Sequence, residues 1–185
     1  MIFSKNDYSY KLERKLNSGG FGAIYQAIQR KNSTCKDKEL NSLVAIKIIE
    51  IRSSDILEFV RNEISILTQI IQKKWAVKIL NHFEMPFFSD RHQYALTFEL
   101  LGPSLYDLKK YNQLNSLSIY SSNQLIKKCF KAVMSLHKLK ILHCDIKPHN
   151  FCIGIFKQDK DKVFLIDYGL SIDTKSEVDL LKNSF

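Results

Sequence analysis

The period of the apolar positions changes several times along the chain. From Tyr10 to Ile51 they alternate or gather in short runs rich in β-branched and aromatic residues, YKLERKL, FGAIYQAI and LVAIKIIEI. This pattern predicts three strands of an antiparallel meander. The polar stretch KNSTCKDKELNS, residues 31–42, reads as an exposed loop between the second strand and the third. Ser53, Ser54 and Asp55 then offer helix caps, and Ile56, Val60, Ile64, Leu67 and Ile71 recur at helical spacing. VKILNHFE (77–84) and HQYALTFEL (92–100) predict two more strands, joined through Met85, Pro86 and a polar turn. After Gly102-Pro103, SLYDLKKY predicts a short helix and SSNQLIKKCFKAVMSLHKL (121–139) a longer amphipathic one, capped near Ser122. A short strand pair is expected around FCIGIF and VFLID, residues 151–167. The fold class is therefore α+β, with five antiparallel strands and one helix in a first lobe and mainly helices in a second. Repeats and low-complexity tracts are absent.

Composition narrows the picture. The chain has 185 residues, 45% of them hydrophobic and 11% aromatic, enough to bury a core. No stretch approaches the roughly 18 apolar residues of a membrane span, and the amino terminus lacks a secretory pattern, so a cytoplasmic or nuclear protein is expected. Cysteines 35, 129, 144 and 152 form no Cys-x-x-Cys pair and read as free thiols. The net charge of +9 admits nucleic acid, acidic lipid surfaces and acidic or phosphorylated peptides as partners. The lysine pairs at 73–74, 109–110 and 127–128 are spread thinly, as on a solvated surface, and no aromatic-rich RNA motif accompanies them.

Three stretches carry chemistry. LNSGGFGAIY places Gly19, Gly20 and Gly22 in a turn between two predicted strands. Such a turn is an ordinary hairpin, or a place where backbone amides approach phosphate oxygens with no Cβ in the way. In LVAIKIIE, Lys47 stands inside an apolar strand, where an unpaired ammonium is costly to bury. Glu63 lies on the apolar side of the predicted helix, three residues after Val60 and four before Leu67, and is the natural counter-ion; Glu58 is turned away. The pair is either a structural ion pair or a device that aims Lys47 at nucleotide phosphates.

The third stretch, ILHCDIKPHNFC (141–152), permits two readings. His143, Cys144, His149 and Cys152 are potential zinc ligands, but Pro148 stiffens the loop and the spacing fits no familiar zinc pattern. Cys144 and Cys152 then read as small buried thiols, and His143 as a packed residue bracing the loop. Asp145, Lys147 and Asn150, with Asp167 after the apolar VFLI, supply what phosphoryl transfer needs. These are a carboxylate for the hydroxyl proton, a cation for the transferred group, and an amide oxygen and second carboxylate for magnesium.

The ordered set LNSGGFGAIY, VAIK, FELLGPSLYDL, HCDIKPHN and IDYG resembles the eukaryotic protein kinase signatures over nearly the whole chain. ELLGPSLYDL, DIKPHNFCIG and VFLIDYGLS are most similar to the casein kinase 1 group; FELLGPSLYDL also resembles the dual-specificity kinases related to the LAMMER type. The resemblance implies a two-lobe fold, with an amino-terminal lobe over 10–98, a hinge at 99–102 and a partial carboxy-terminal lobe over 103–185. It implies ATP and Mg2+ as cofactors and Ser/Thr in acidic or already phosphorylated proteins as substrate. Lys47 and Glu63 become the nucleotide-orienting pair, Asp145 the base, Lys147 a contact to the transferred phosphate, and Asn150 and Asp167 the magnesium ligands. Asn17, Ser18, Gly19, Gly20, Phe21 and Gly22 form the phosphate loop. Ile24 and Ala45 cover the adenine, Phe98 is the gatekeeper, and Glu99 to Leu101 offer backbone hydrogen bonds.

Departures from the family pattern are equally informative. Asn17 stands where most kinases begin the phosphate loop with glycine, which stiffens the turn. Cys144 replaces the arginine that usually precedes the base, so an activation-loop phosphate loses its customary partner. Tyr168 replaces a phenylalanine. Little sequence follows Gly169, so the helix at 121–139 is expected to lack neighbours for its apolar face. A nucleotide-binding scaffold without transferase activity is the alternative. Small-molecule kinases that share the Asp and Asn loop usually continue with Asp-x-Asp, which is missing after Asp167.

Overall fold

The computed structural model describes residues 2–5, 7–19, 22–32, 41–85, 92–111 and 118–175. The chain packs as two units, Met1–Glu58 with Lys78–Leu100 and Phe59–Val77 with Leu101–Phe185.

The first unit is built on a six-stranded antiparallel sheet. In chain order its strands are β1 (Ile2–Lys5), β2 (Tyr8–Gly19), β3 (Gly22–Lys31), β4 (Ser42–Glu50), β5 (Ile79–Glu84) and β6 (Gln93–Glu99), and the spatial order is β1-β2-β3-β4-β6-β5. Five of these agree with the alternating pattern. The sixth, β1, corrects the expectation of five strands: four residues with a single buried side chain are too short a run for periodicity to reveal. What holds β1 in place is Phe3, which pairs in register with Tyr10 and stacks on its ring at 5.4 Å.

Register then sorts the sheet residues onto two faces. Phe3, Tyr10, Ala27, Val44, Ile46, Phe83, Met85 and Ala95 form one buried cluster. At full burial each large apolar side chain here contributes roughly 1.5–3 kcal/mol. The polar tip of Tyr10 is satisfied inside this cluster, because its hydroxyl accepts from Gln29 Nε2 at 3.3 Å and Asn81 Nδ2 at 3.2 Å. The residues that alternate with Val44 and Ile46, namely Ala45 and Lys47, belong to the opposite face.

The helix α1 (Ser54–Ile70) begins where the caps predict, with Ser53 Oγ accepting from the Ile56 amide at 3.5 Å. Its buried residues are Val60, Glu63, Ile66, Leu67 and Ile70. The stripe is thus shifted from the one expected: Ile71 is exposed, and Ile56 and Ile64 are only half-buried. Glu63 sits on the buried side and Glu58 on the exposed side, as the helical phase requires.

The second unit contains α2 (Leu105–Tyr111), α3 (Ile119–Lys138), the end of α1 and short paired strands. β8 (Phe151–Ile153) pairs with β9 (Val163–Leu165), as the sequence predicts. A second pair, β7 (Ile141–Leu142) with β10 (Ile172–Asp173), was not legible at two residues per strand. The helix α3 starts at Ile119 rather than at residue 121. Ser118, not Ser122, is its cap: it keeps a non-helical backbone (φ −58, ψ 151) and its hydroxyl accepts the Ser121 amide at 3.1 Å. The first turn escaped the apolar pattern because Ile119 and Tyr120 are exposed. Ala132 and Leu136 are buried, whereas Ile126, Phe130 and Met134 are exposed on another side of α3. Among the described residues no helix is long and apolar enough to cross a membrane.

Candidate active site

The first unit gathers the residues assigned to a nucleotide. Register places Ile24 opposite Lys47 and Lys47 opposite Leu96, while the next row joins Gln26, Ala45 and Phe98. Directly opposed residues of antiparallel strands share a face, so Ile24, Ala45, Lys47 and Phe98 stand together on one side of the sheet. Lys47 and Phe98 are buried. The hairpin between β2 and β3 closes with Gly19 opposite Gly22. Gly22 is required where it is: at φ +136, a Cβ would lie 2.2 Å from the Ile48 carbonyl oxygen. Gly20 and Phe21 lie outside the described residues. Asn17 has a local task, since its Oδ1 accepts the Ser18 amide at 2.8 Å. One backbone donor assigned to the phosphate loop is therefore already engaged. Of the hinge residues, Glu99 uses its amide on the Lys78 carbonyl at 3.1 Å and its carboxylate on the Lys78 amide at 2.8 Å.

The second unit holds the proposed chemistry in one turn. The backbone passes through Cys144 at φ +62, and a 3-10 turn runs from Pro148 to Asn150. Lys147 Nζ lies 2.6 Å from Asp145 Oδ2, and Asn150 Nδ2 donates to the same oxygen at 2.9 Å and to the Asp145 carbonyl at 2.9 Å. The Lys147 hydrogen bond, chiefly, holds the Asp145 carboxyl below the usual carboxylate range, with Asn150 adding to it against partial desolvation. Asp145 is thus ionised across neutral pH. The same contact raises Lys147. With its amide nitrogen committed to Asp145, Asn150 keeps Oδ1 as the acceptor suited to a cation.

His143 braces this turn from beneath, and the zinc reading of the stretch fails on its geometry. The ring is buried, with Nε2 3.0 Å from the Ile166 carbonyl and Nδ1 accepting the Asp145 amide at 3.3 Å. An amide can only donate, so Nδ1 is the bare nitrogen and Nε2 carries the proton. Burial lowers the His143 pKa and keeps the ring neutral. Both nitrogens are occupied, and neither is left for a metal. Cys152 is buried as expected, its thiol pushed up to about 12 by desolvation. Cys144 is the exception: it is exposed, because the left-handed backbone turns its side chain outward. No group of three or more metal-binding side chains of the His, Cys, Asp and Glu type occurs among the described residues.

Asp167 also occupies the left-handed region, at φ +64. Its Oδ1 lies 3.8 Å, and Glu63 Oε2 lies 3.7 Å, from the point a Cβ on Gly169 would take, so the two carboxylates flank that glycine. α1 is tied to this segment by Asn62 Nδ2 donating to the Ser171 carbonyl at 2.7 Å and Gln69 Nε2 to Asp173 at 3.1 Å. Tyr168 is buried with its ring 5.1 Å from that of His143, and its hydroxyl donates to the Leu165 carbonyl at 3.2 Å. The oxygen that distinguishes it from phenylalanine is therefore satisfied. Asn150 Oδ1 and the Asp167 carboxylate are hard oxygen donors of the kind magnesium takes, and the residues present fit that ion.

A sheet face carrying a buried lysine and a turn carrying an aspartate, lysine and asparagine in mutual contact are the parts of a phosphotransferase. Residues 10–185 match the protein kinase domain family, and the chain belongs to it. Its fold, an antiparallel sheet with few helices, is that of a kinase amino-terminal lobe with part of the carboxy-terminal lobe. Among its relatives is the human dual specificity tyrosine-phosphorylation-regulated kinase 4, 32% identical over 89% of this chain and 29% of that protein. The Drosophila melanogaster dual specificity tyrosine-phosphorylation-regulated kinase 2 is 27% identical over 89% of this chain and 21% of its own length. The Saccharomyces cerevisiae dual specificity protein kinase YAK1 is 27% identical over 85% and 18%. The chain spans less than a third of each of them. These relatives support a eukaryotic protein kinase and do not single out the casein kinase 1 group expected from the motifs.

Two features escaped the sequence reading. Ser171, whose hydroxyl donates to the His143 carbonyl at 3.3 Å, ties the residues after Gly169 to the turn that carries Asp145. A stack between Tyr106 and His149 joins α2 to the same turn. Neither had a signal in spacing, because both depend on segments far apart in the chain.

Proposed function

We propose that the chain is an ATP- and magnesium-dependent protein kinase domain that phosphorylates Ser and Thr hydroxyls of proteins. The observation that carries this reading is the shared carboxylate oxygen of Asp145, contacted at once by Lys147 and Asn150. As the hydroxyl oxygen bonds to the transferred phosphorus and the bond to the leaving diphosphate oxygen breaks, the hydroxyl proton passes to Asp145. A carboxylate held below its usual range is a weak base. Little charge develops on the nucleophile in a loose transition state, so placement matters more than basicity. Lys147 offsets negative charge on the group in transfer. Asn150 and Asp167 are assigned to magnesium, which when bound supplies positive charge to the phosphate oxygens. Lys47 is assigned to the phosphates with Glu63 as its counter-ion, Ile24 and Ala45 to the adenine, Phe98 to the gatekeeper position and Leu101 to a backbone contact.

For the subclass, the relatives favour the dual-specificity resemblance of FELLGPSLYDL over the casein kinase 1 one, and their names add Tyr to the acceptors. The charge of +9 supports acidic or phosphorylated acceptor sites in a cytoplasmic or nuclear setting. Peptides carrying Ser, Thr or Tyr, with and without a neighbouring phosphate, distinguish the two subclasses.

A second reading is a nucleotide-binding scaffold without transferase activity: Ile119, Ile126, Phe130 and Met134 stand exposed on α3, an apolar surface of the kind that docks a partner. Transfer of radiolabelled phosphate to casein by the wild-type chain and by Asp145→Asn separates the readings. The expected result is a loss of at least about a hundredfold in the variant. Equal transfer by both, or none by either, rejects the enzyme reading.

A further inference from the structure

The catalytic turn is attached to a helix that the assigned chemistry does not use. The aromatic ring of Tyr106, on α2, lies over His149 with ring centroids 3.9 Å apart and planes inclined by 20°. His149 is the residue between Pro148 and Asn150, in the turn that follows Lys147. Both ends of the stack are anchored. On the helix side, Ser104 Oγ accepts the Asp107 amide at 3.1 Å and Asp107 Oδ2 accepts the Ser104 amide at 3.1 Å, closing a capping box. The segment before α2 is laced to β8, the strand that continues the turn. The Gly102 amide donates to the Ile153 carbonyl at 2.8 Å, the Ile153 amide to the Pro103 carbonyl at 3.1 Å, and Ser104 bridges to Cys152. On the turn side, the Asn150 amide donates to the Lys147 carbonyl at 2.9 Å and its carbonyl accepts from Ile166 at 3.0 Å.

These bonds fix the ends of the turn, Lys147 and Asn150. His149 itself is exposed and sits at the outer corner, where the Tyr106 ring covers it. We propose that Tyr106 is a positioning residue: by stacking on His149 it holds the 148–150 turn, and through it the Asn150 amide and the Asp145 carboxylate, in the orientation phosphoryl transfer requires. The inference rests on the kinase reading for its consequence and on the geometry of one unit for its cause. Contacts between aromatic rings contribute beyond the area that they bury. Positioning a catalytic group matters because small displacements of the reacting geometry lower the rate with little effect on substrate binding.

Two measurements on the full 185-residue chain test this together: hydrogen–deuterium exchange across residues 145–150, and kcat and nucleotide KM for transfer to casein. In Tyr106→Ala, exchange across 145–150 is expected to quicken and kcat to fall about three- to tenfold, with KM within about twofold of wild type. Tyr106→Phe keeps the ring and is expected to retain both properties. Should Tyr106→Ala not fold, His149→Ala leaves α2 intact and is expected to reproduce the loss, with His149→Phe restoring it. Unchanged exchange in the folded alanine variants overturns the inference. So does quickened exchange with an unchanged kcat. If wild type transfers no phosphate, the proposed function fails, and the exchange results alone decide whether the stack orders the turn.

Discussion

The sheet face of the first unit and the 145–150 turn of the second are held in opposite ways. Ile24, Ala45, Lys47 and Phe98 owe their places to backbone ladders on both sides of β4, and none of their side chains is needed to form those ladders. Asp145, Lys147 and Asn150 are placed by bonds among their own side chains, beside a residue at φ +62. In the sheet, chemistry is added to a scaffold; in the turn, the chemical groups are the scaffold. Substitutions should therefore separate activity from stability in the first unit and couple them in the second.

The strongest break of that comparison is Lys47→Met. Transfer should fall about a hundred- to a thousandfold, the scale for losing one charge-stabilising donor. In the double variant Lys47→Met, Glu63→Leu, which replaces both charges of the assigned pair, the melting temperature should stay level or rise, because apolar side chains of similar size suit the two buried positions. A fall in melting temperature as large as the fall in rate would contradict the separation. Asn150→Ala should lower magnesium affinity or rate about ten- to a hundredfold and destabilise as well, since Asp145 loses a donor to both its carboxylate and its carbonyl. Titration of activity with magnesium, alongside thermal unfolding, reads both effects.

Gly22→Ala sharpens the comparison from the other side, as the sheet position where backbone itself is at stake. The added Cβ meets the Ile48 carbonyl oxygen and the φ of +136 disfavours it, so unfolding should become easier by about 1–3 kcal/mol. Chemical denaturation checks this.

Lys147→Met tests the electrostatics of the turn. Because the Asp145 pKa is depressed in the folded chain, its ionised form contributes stability at pH above the ordinary carboxylate value, and that contribution is lost as pH falls through the depressed one. Removing Lys147 removes the largest cause, so the acid limb of the pH–rate profile should move upward. An unmoved limb would exclude Asp145 as the group that it reports. The smallest effect is expected of Asn17→Gly, which frees the Ser18 amide and should tighten nucleotide binding by a few-fold, measurable by calorimetry.

Much of the site was legible because it follows local rules. Lys47 inside an apolar strand called for a counter-ion, and helical phase chose Glu63 over Glu58. The close order of Asp145, Lys147 and Asn150 marked the turn before any coordinates did. The misreadings share a different cause. Ile66 and Ile71 are both apolar and stand about 140° apart around the helix, and only the packing of α1 decides that Ile66 is buried and Ile71 exposed. Cys144 read as buried because small thiols usually are, until the backbone sign at that residue turned it outward. β1 is visible only through Phe3 stacking on Tyr10.

Periodicity, capping residues and the spacing of charged groups are properties of neighbouring positions, and they sufficed for the strand and helix types and for the phase of Glu63 on α1. Which surfaces meet is a property of segments distant in the chain. The tautomer of His143, the bond from Asn62 to Ser171, the Tyr106 stack on His149 and the exposed flank of α3 were therefore decided only when tertiary packing brought, or failed to bring, those segments together.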